Sequence, residues 1–270
     1  MVRNIAWKHN YTVSYISLSP GECPFNKLEL VYKAVMSNLM YPMTREELAK
    51  PYERGVDAFV RRWFTIKNEE LHDKDALLAE LNALHGIESS SFQNAVKHAF
   101  IALMDNLPDY DKIIQWLKGE EIDRSTRDKY GITEHVDKTT AFRLLRSLAQ
   151  WVCAIGYTGL VLLFDEAERG VSIATSRERE QALDNLRQII DECGNSRLPS
   201  TMIFYAIPDE KQLLDERLHS YEALRQRISG VLSHVNPTGV RILLDRLPKD
   251  PTELLSEIGL KIAEIYQSAY

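Results

Sequence analysis

Five consecutive large apolar residues, Leu160 to Phe164, stand directly before Asp165, Glu166 and Glu168 in the stretch GLVLLFDEAERG. A short apolar run bounded by glycines predicts a buried strand that ends in acids. Upstream, TVSYISLSP (Thr12 to Pro20) is β-branched and aromatic and stops at Pro20-Gly21, which predicts a second buried strand. The next segment, NKLELVYKAVMSNL, places Leu28, Val31, Tyr32, Val35 and Leu39 on one helical face, with Asn26 as its cap. Strand followed at once by amphipathic helix is the pattern of an α/β layer.

From residue 52 to 137 the period changes. Val56, Phe59, Val60, Trp63 and Phe64 form one helical stripe, Phe92, Val96, Ala99, Phe100 and Leu103 a second, and Ile113, Ile114 and Leu117 a third. No strand pattern separates them, so this stretch is expected to be an all-helical insertion, its charged tail KGEEIDRSTRDKYGITEHVDK a surface connection. The α/β core is then 1–51 plus 138–270. Its second part reads as a helix over 138–155 with Phe142, Leu145, Leu148, Ala149 and Val152 inward, ended by Gly156 or Gly159, and then the acidic strand. There follow a helix over 177–193 with Leu183, Leu186, Ile189 and Ile190 inward, the apolar strand STMIFYAIPD, a helix over 220–228, a strand VRILLDRL and a final amphipathic helix.

Composition narrows the class. The 270 residues are 44% hydrophobic and 27% charged with a formal net charge of -6, a soluble globular profile without a global pull toward nucleic acid. Cys23, Cys153 and Cys193 match no zinc spacing and fit a reducing cytoplasm, and no apolar run reaches the length of a membrane span. The seven histidines are dispersed, without H-E-x-x-H.

A strand that ends in Asp-Glu at the carboxyl edge of a parallel sheet meets a requirement of ATP chemistry. Asp165 would face water bound to Mg²⁺, and Glu166 would polarise the water that attacks the terminal phosphate, the arrangement called Walker B. The same pattern also fits an ordinary strand entering a solvated loop. Arg225 and Arg227 in SYEALRQRI could reach a neighbouring subunit's phosphate or pair with Glu222 or Asp215 on a solvated helix face. The strand before them would deliver Ala206, Ile207 and Pro208 to the phosphate edge, where a hydrolase usually offers a polar group. No G-x-x-x-x-G-K-[ST] occurs, so the backbone cradle for phosphate is missing. The pair Arg61-Arg62 before Trp63, with Lys50 and Arg54 nearby, could touch nucleic acid, although a helix with a core tryptophan and solvated arginines, followed by Glu69, Glu70 and Asp73, explains it better. Tyr11, Tyr15 and Tyr32 could stack on a base, but they fit wall and edge positions of the core at least as well.

Taken together, VSYISLSPGECPFNKLELVYKAVMSNL, GLVLLFDEAE, ALDNLRQIIDECGNSRLPSTMIFYAIPDE and YEALRQRI resemble the P-loop ATP-binding proteins of bacterial phage-exclusion (BREX) systems, over nearly the whole chain. The resemblance implies a P-loop NTPase-like fold of AAA+/ASCE type, with a parallel sheet, helices on both faces and a helical insertion. It makes Asp165 the Mg²⁺ ligand, Asp165 and Glu166 the ATP-site acids, Glu166 catalytic, and Arg227 with Arg225 the catalytic arginines. In that family a phosphate loop precedes the helix that ends here at Asn10. The chain is therefore expected to lack the first strand and loop, as a truncated or non-hydrolysing form, and to bind ATP and Mg²⁺ weakly or not at all by itself. A small polar residue, often threonine, stands in the family near Ile207. ATPases with the extra glutamate have strand order 5-1-4-3-2, which leaves the fourth strand without its inner neighbour. Expected partners are copies of itself or other defence proteins, with nucleic acid reached through the assembly and no membrane. The competing reading is a non-catalytic scaffold that retains the ATPase architecture.

Overall fold

The protein is described by a computed structural model over residues 2–19, 21–166, 175–207, 224, 227, 228, 242 and 250–269. In chain order the elements are α1 (Val2–Lys8), β1 (Tyr11–Ser17), α2 (Leu28–Ser37), β2 (Leu39–Met40), α3 (Arg45–Leu48), α4 (Val56–Leu71), α5 (Lys74–Asn82), α6 (Ser90–Met104), α7 (Tyr110–Leu117), α8 (Arg124–Tyr130), α9 (Ala141–Ala154), β3 (Gly159–Asp165), α10 (Ser176–Gly194), β4 (Thr201–Tyr205) and α11 (Pro251–Ala269). Residues 1–227 make one compact unit and residues 228–270 another.

Within the first unit the described strands form a mixed sheet in the order β2-β1-β3-β4. β1 pairs parallel with β3 from Tyr11↔Gly159 to Ser17↔Asp165, β3 pairs parallel with β4, and β2 runs antiparallel to β1. Alternation along the strands gives the sheet two faces. On one, Val13 and Val161 bury against Ala6 and Trp7 of α1 together with Met40 and Met43. On the other, the Ser14 hydroxyl donates to the Val35 carbonyl of α2 at 3.0 Å, and Phe25 meets Phe164 edge to face at 5.4 Å between centroids. The protein is thus an α/β fold whose mixed sheet carries helices on both faces, a form consistent with P-loop NTPases.

At the start of β3 backbones approach closely. A methyl group on Gly159 would stand 2.0 Å from the Ser200 carbonyl oxygen and 2.9 Å from the Tyr11 ring, so only glycine fits where β4 enters the sheet. Gly159 is therefore part of the strand. The α9 helix has already stopped at Ala154, and the chain turns at Gly156 with φ +98°.

Between β2 and β3 the described residues hold helices and no strand. Their apolar stripes converge on Trp151 of α9, which is fully buried and packs edge-on against Phe59 at 5.4 Å, Trp63 at 5.8 Å and Phe92 at 5.9 Å. The Tyr32 hydroxyl donates to the Leu117 carbonyl at 2.9 Å, tying α2 to α7. Trp63 is core, as its stripe predicts, while Arg61 is exposed and Arg62 half-exposed.

Several expectations are corrected. The helix after the first strand starts at Leu28 with Lys27 in the cap position and no side-chain cap bond, so Asn26 is not its cap. Leu39 belongs to β2, a two-residue strand too short to leave a period in the sequence, and its antiparallel pairing makes the sheet mixed. The connection after α7 contains α8, capped by Asp123, which accepts the Thr126 N–H. β4 is less buried than its apolar sequence predicts, with Met202 and Phe204 exposed. The sheet places β1 beside β3 and β3 beside β4, the expected neighbours. The helix predicted over 220–228, the strand VRILLDRL, Pro208 and Arg225 lie outside the described residues, apart from Leu224, Arg227, Ile228 and Ile242. In the second unit α11 carries exposed Leu255, Ile258 and Ile262. No helix of the described residues is long and apolar enough to cross a membrane.

Candidate functional site

Because β1 and β3 are parallel neighbours in register, Ser17 and Asp165 end side by side at the carboxyl edge of the sheet. Two residues back, Tyr15 lies on the same face as Asp165. Its phenol donates to Asp165 Oδ2 at 2.5 Å, and the Glu166 N–H donates to Asp165 Oδ1 at 2.9 Å. Both oxygens of the aspartate are therefore oriented by donors, one from the adjacent strand and one from the next residue.

Glu166 takes φ 52°, a left-handed conformation that costs a non-glycine residue about 1 kcal/mol or more. The turn brings its carboxylate back over β1, where the Ser17 hydroxyl donates to Oε2 at 2.6 Å. The sheet ladder continues beyond the strands on both sides. The Leu18 N–H donates to the Asp165 carbonyl and the Ala206 N–H to the Phe164 carbonyl, each at 2.9 Å. Ala206 and Ile207 thus reach the same edge as the acids and bring no polar side chain to it.

Asp165 and Glu166 also act on Tyr15. The hydrogen bond to Asp165, then burial, then the charges of Asp165 and Glu166 raise its pKa above the ordinary tyrosine value of 10.0. A phenol raised in the folded state keeps its proton, and this bond, below the ordinary range and loses both as pH climbs through the raised value. In ultraviolet titration of the folded protein, Tyr15→Phe is expected to remove one late-ionising phenol, and Asp165→Asn to bring that phenol back toward 10. A titration unchanged by either substitution would show that the bond does not form in solution.

A family model described as "BREX system ATP-binding protein BrxC/D" matches residues 1–270. The chain belongs to this family. No curated protein and no solved structure matches it significantly. Membership in the BrxC/D family ties the chain to BREX phage defence and supports a role for a nucleotide cofactor. The edge suits Mg²⁺ in donor chemistry, since the Asp165 and Glu166 carboxylates and the Ser17 and Tyr15 hydroxyls are all oxygen donors, and magnesium keeps most of its water shell. No cluster of three or more His, Cys, Asp or Glu side chains that could hold a metal ion occurs among the described residues.

The predicted arginine lies elsewhere. Arg227 Nε donates to Asp191 Oδ1 at 2.6 Å. Asp191 is fifteen residues beyond Ser176, the first of α10, about 20 Å along the helix. That end of α10 leads into the start of β4, so Arg227 sits toward the edge of the sheet opposite Asp165. The anticipated partners Glu222 and Asp215 lie outside the described residues. Tyr15 and Ser17 are the site residues that sequence reasoning missed. Their only advance signal is a polar residue at alternate positions near the end of an apolar strand.

Proposed function

We propose that Asp165 and Glu166 form the acidic half of an ATP·Mg²⁺ site of the AAA+/ASCE type, the Walker B acids of a phage-defence ATPase module. The supporting observation is the register of β1 and β3, which sets both acids at the carboxyl edge and gives each a hydroxyl donor from β1. Asp165 would hold Mg²⁺ through its water shell, and the ion would draw charge from the transferring phosphate. Glu166, once free of Ser17, would orient the attacking water and accept its proton. Ser17 thus acts as a hold on the catalytic acid, and Tyr15 as a guide for the metal ligand.

The core spans 1–51 and 138–270, contains no G-x-x-x-x-G-K-[ST] phosphate cradle, and carries 52–137 as its helical insertion. Without such a cradle ATP would bind this chain weakly or not at all. Arg227 and Arg225 would serve another protomer's phosphate in a homo-oligomer or an assembly with other defence proteins. Ala206 and Ile207 at the phosphate edge favour a second reading, a scaffold that keeps the architecture without hydrolysis. Phage plating on cells that carry the complete system separates the two. Glu166→Gln and Asp165→Asn are expected to abolish protection while leaving the protein's abundance unchanged. Full protection with both substitutions would leave the scaffold reading standing.

A further inference from the structure

A second site lies away from the acidic edge, where the segment after β2 folds over α4. A cavity of about 370 Å³ opens there, lined by Tyr41, Tyr52, Lys50, Glu53, Arg61 and Arg62 among others. That volume is within the range of small-ligand pockets. The two arginines are held by aromatic rings and carboxylates. The Arg62 guanidinium stands 5.4 Å from the centroid of Tyr41 and 3.2 Å from Glu47, and that of Arg61 stands 4.6 Å from the centroid of Tyr110 and 2.8 Å from Asp57. Stacked in this way, each guanidinium is pre-set in orientation at little further entropic cost. Both remain substantially exposed, with 48% and 38% of their side chains accessible.

The rim differs from the walls. Tyr52 is 42% exposed, and its ring is open to a ligand. The side chains of Lys50 and Arg54 are exposed, and neither is hydrogen-bonded or ion-paired to another described residue. The pocket therefore offers an accessible aromatic face with Lys50 and Glu53 beside it, Arg54 two residues beyond Tyr52 in the chain, and two fixed guanidinium planes, paired with Asp57 and Glu47, behind. An aromatic face suits a base, which has a π-surface, and neighbouring cations suit the phosphate attached to it. Duplex bases are stacked on one another and cannot enter, whereas a base of a single strand can.

We propose that this pocket seats a nucleobase of single-stranded nucleic acid on Tyr52, with Lys50 and Arg54 on the adjoining phosphates. Trp63, the aromatic residue next to the arginines in sequence, has no part in it because it is buried. The site is independent of the ATP reading.

Fluorescence polarisation of a labelled fifteen-nucleotide deoxythymidine strand with the full chain tests the proposal. Tyr52→Ala is expected to weaken binding about tenfold, the effect of losing one stacked base, and Tyr52→Phe to leave it within about twofold of the parent. Lys50→Ala with Arg54→Ala is expected to flatten the slope of log affinity against log salt by about 1.4, since each phosphate contact on a single strand contributes about 0.7. All three positions are exposed, so melting curves of the variants should match the parent. Equal binding by the parent and Tyr52→Ala would overturn the proposal, as would absence of binding by the parent. Displacement of the strand by polyglutamate at equal charge would identify an acidic-peptide site instead. Displacement by free thymidine monophosphate at equal concentration would identify a mononucleotide site, and either result would refute the assignment to a strand.

Discussion

Replacing Trp151 with alanine is expected to destabilise the protein by about 3–5 kcal/mol, the usual cost of removing a large buried aromatic. Trp151 is 0% exposed and lies within 6 Å, centroid to centroid, of Phe59, Trp63 and Phe92, so its loss leaves a cavity that three rigid rings cannot fill. The effect should appear in urea unfolding as a lower midpoint with an unchanged slope. Trp151→Phe should recover much of it. The indole N–H has no hydrogen-bond partner among the described residues, so phenylalanine removes an unsatisfied donor while keeping a ring. If Trp151→Ala unfolds at the parental midpoint, α4 and α6 are not packed on α9 in the way described.

Arg146 should be nearly as sensitive. Its Nε and Nη2 donate to Glu88 at 2.6 and 2.8 Å, and its Nη1 donates to Glu192 at 2.9 Å. Glu192 is only 5% exposed, and its Oε1 accepts from the largely exposed Arg197 at 3.3 Å. Arg146→Met would leave a buried carboxylate with one weak partner. The expected loss is on the order of 3 kcal/mol, toward the lower end for breaking a buried pair because Arg197 remains. The sign of the pH dependence follows from Glu88. Its hydrogen bond to Arg146 holds its pKa below the ordinary carboxylate value. The stabilisation it gives is therefore present above that ordinary value and fades as pH falls through the depressed one. Urea midpoints of the parent and Arg146→Met should accordingly converge between pH 7 and pH 3. A constant gap across that interval would place the effect in packing of the arginine stem rather than in its charge.

Much of this architecture is legible in the sequence because burial leaves periods. The run Leu160 to Phe164 marks β3, and the stripes through Phe59, Phe92 and Ile113 mark α4, α6 and α7. Glu192 also left a sign. It falls three residues after Ile189 on the inward stripe of α10, where an acid requires a buried cation. β2 could not be read, since two residues carry no period. Nor could the roles of Tyr15 and Ser17, because they depend on the register between strands about 150 residues apart in sequence. The pocket at Tyr52 was legible only in part, through the cations Lys50, Arg54, Arg61 and Arg62. Its walls come from two segments, 41–53 and 58–65, whose approach across the start of α4 leaves no period in the sequence.

The most direct measurement of the central claim is calorimetric titration of ATP·Mg²⁺ into the 270-residue chain and its Asp165→Asn variant. If Asp165 and Glu166 are the acidic half of a nucleotide site and these residues contain no phosphate cradle, neither protein should give binding in the micromolar range. Micromolar binding by the parent that is lost in Asp165→Asn would contradict the account, because the chain would then hold a complete nucleotide site of its own.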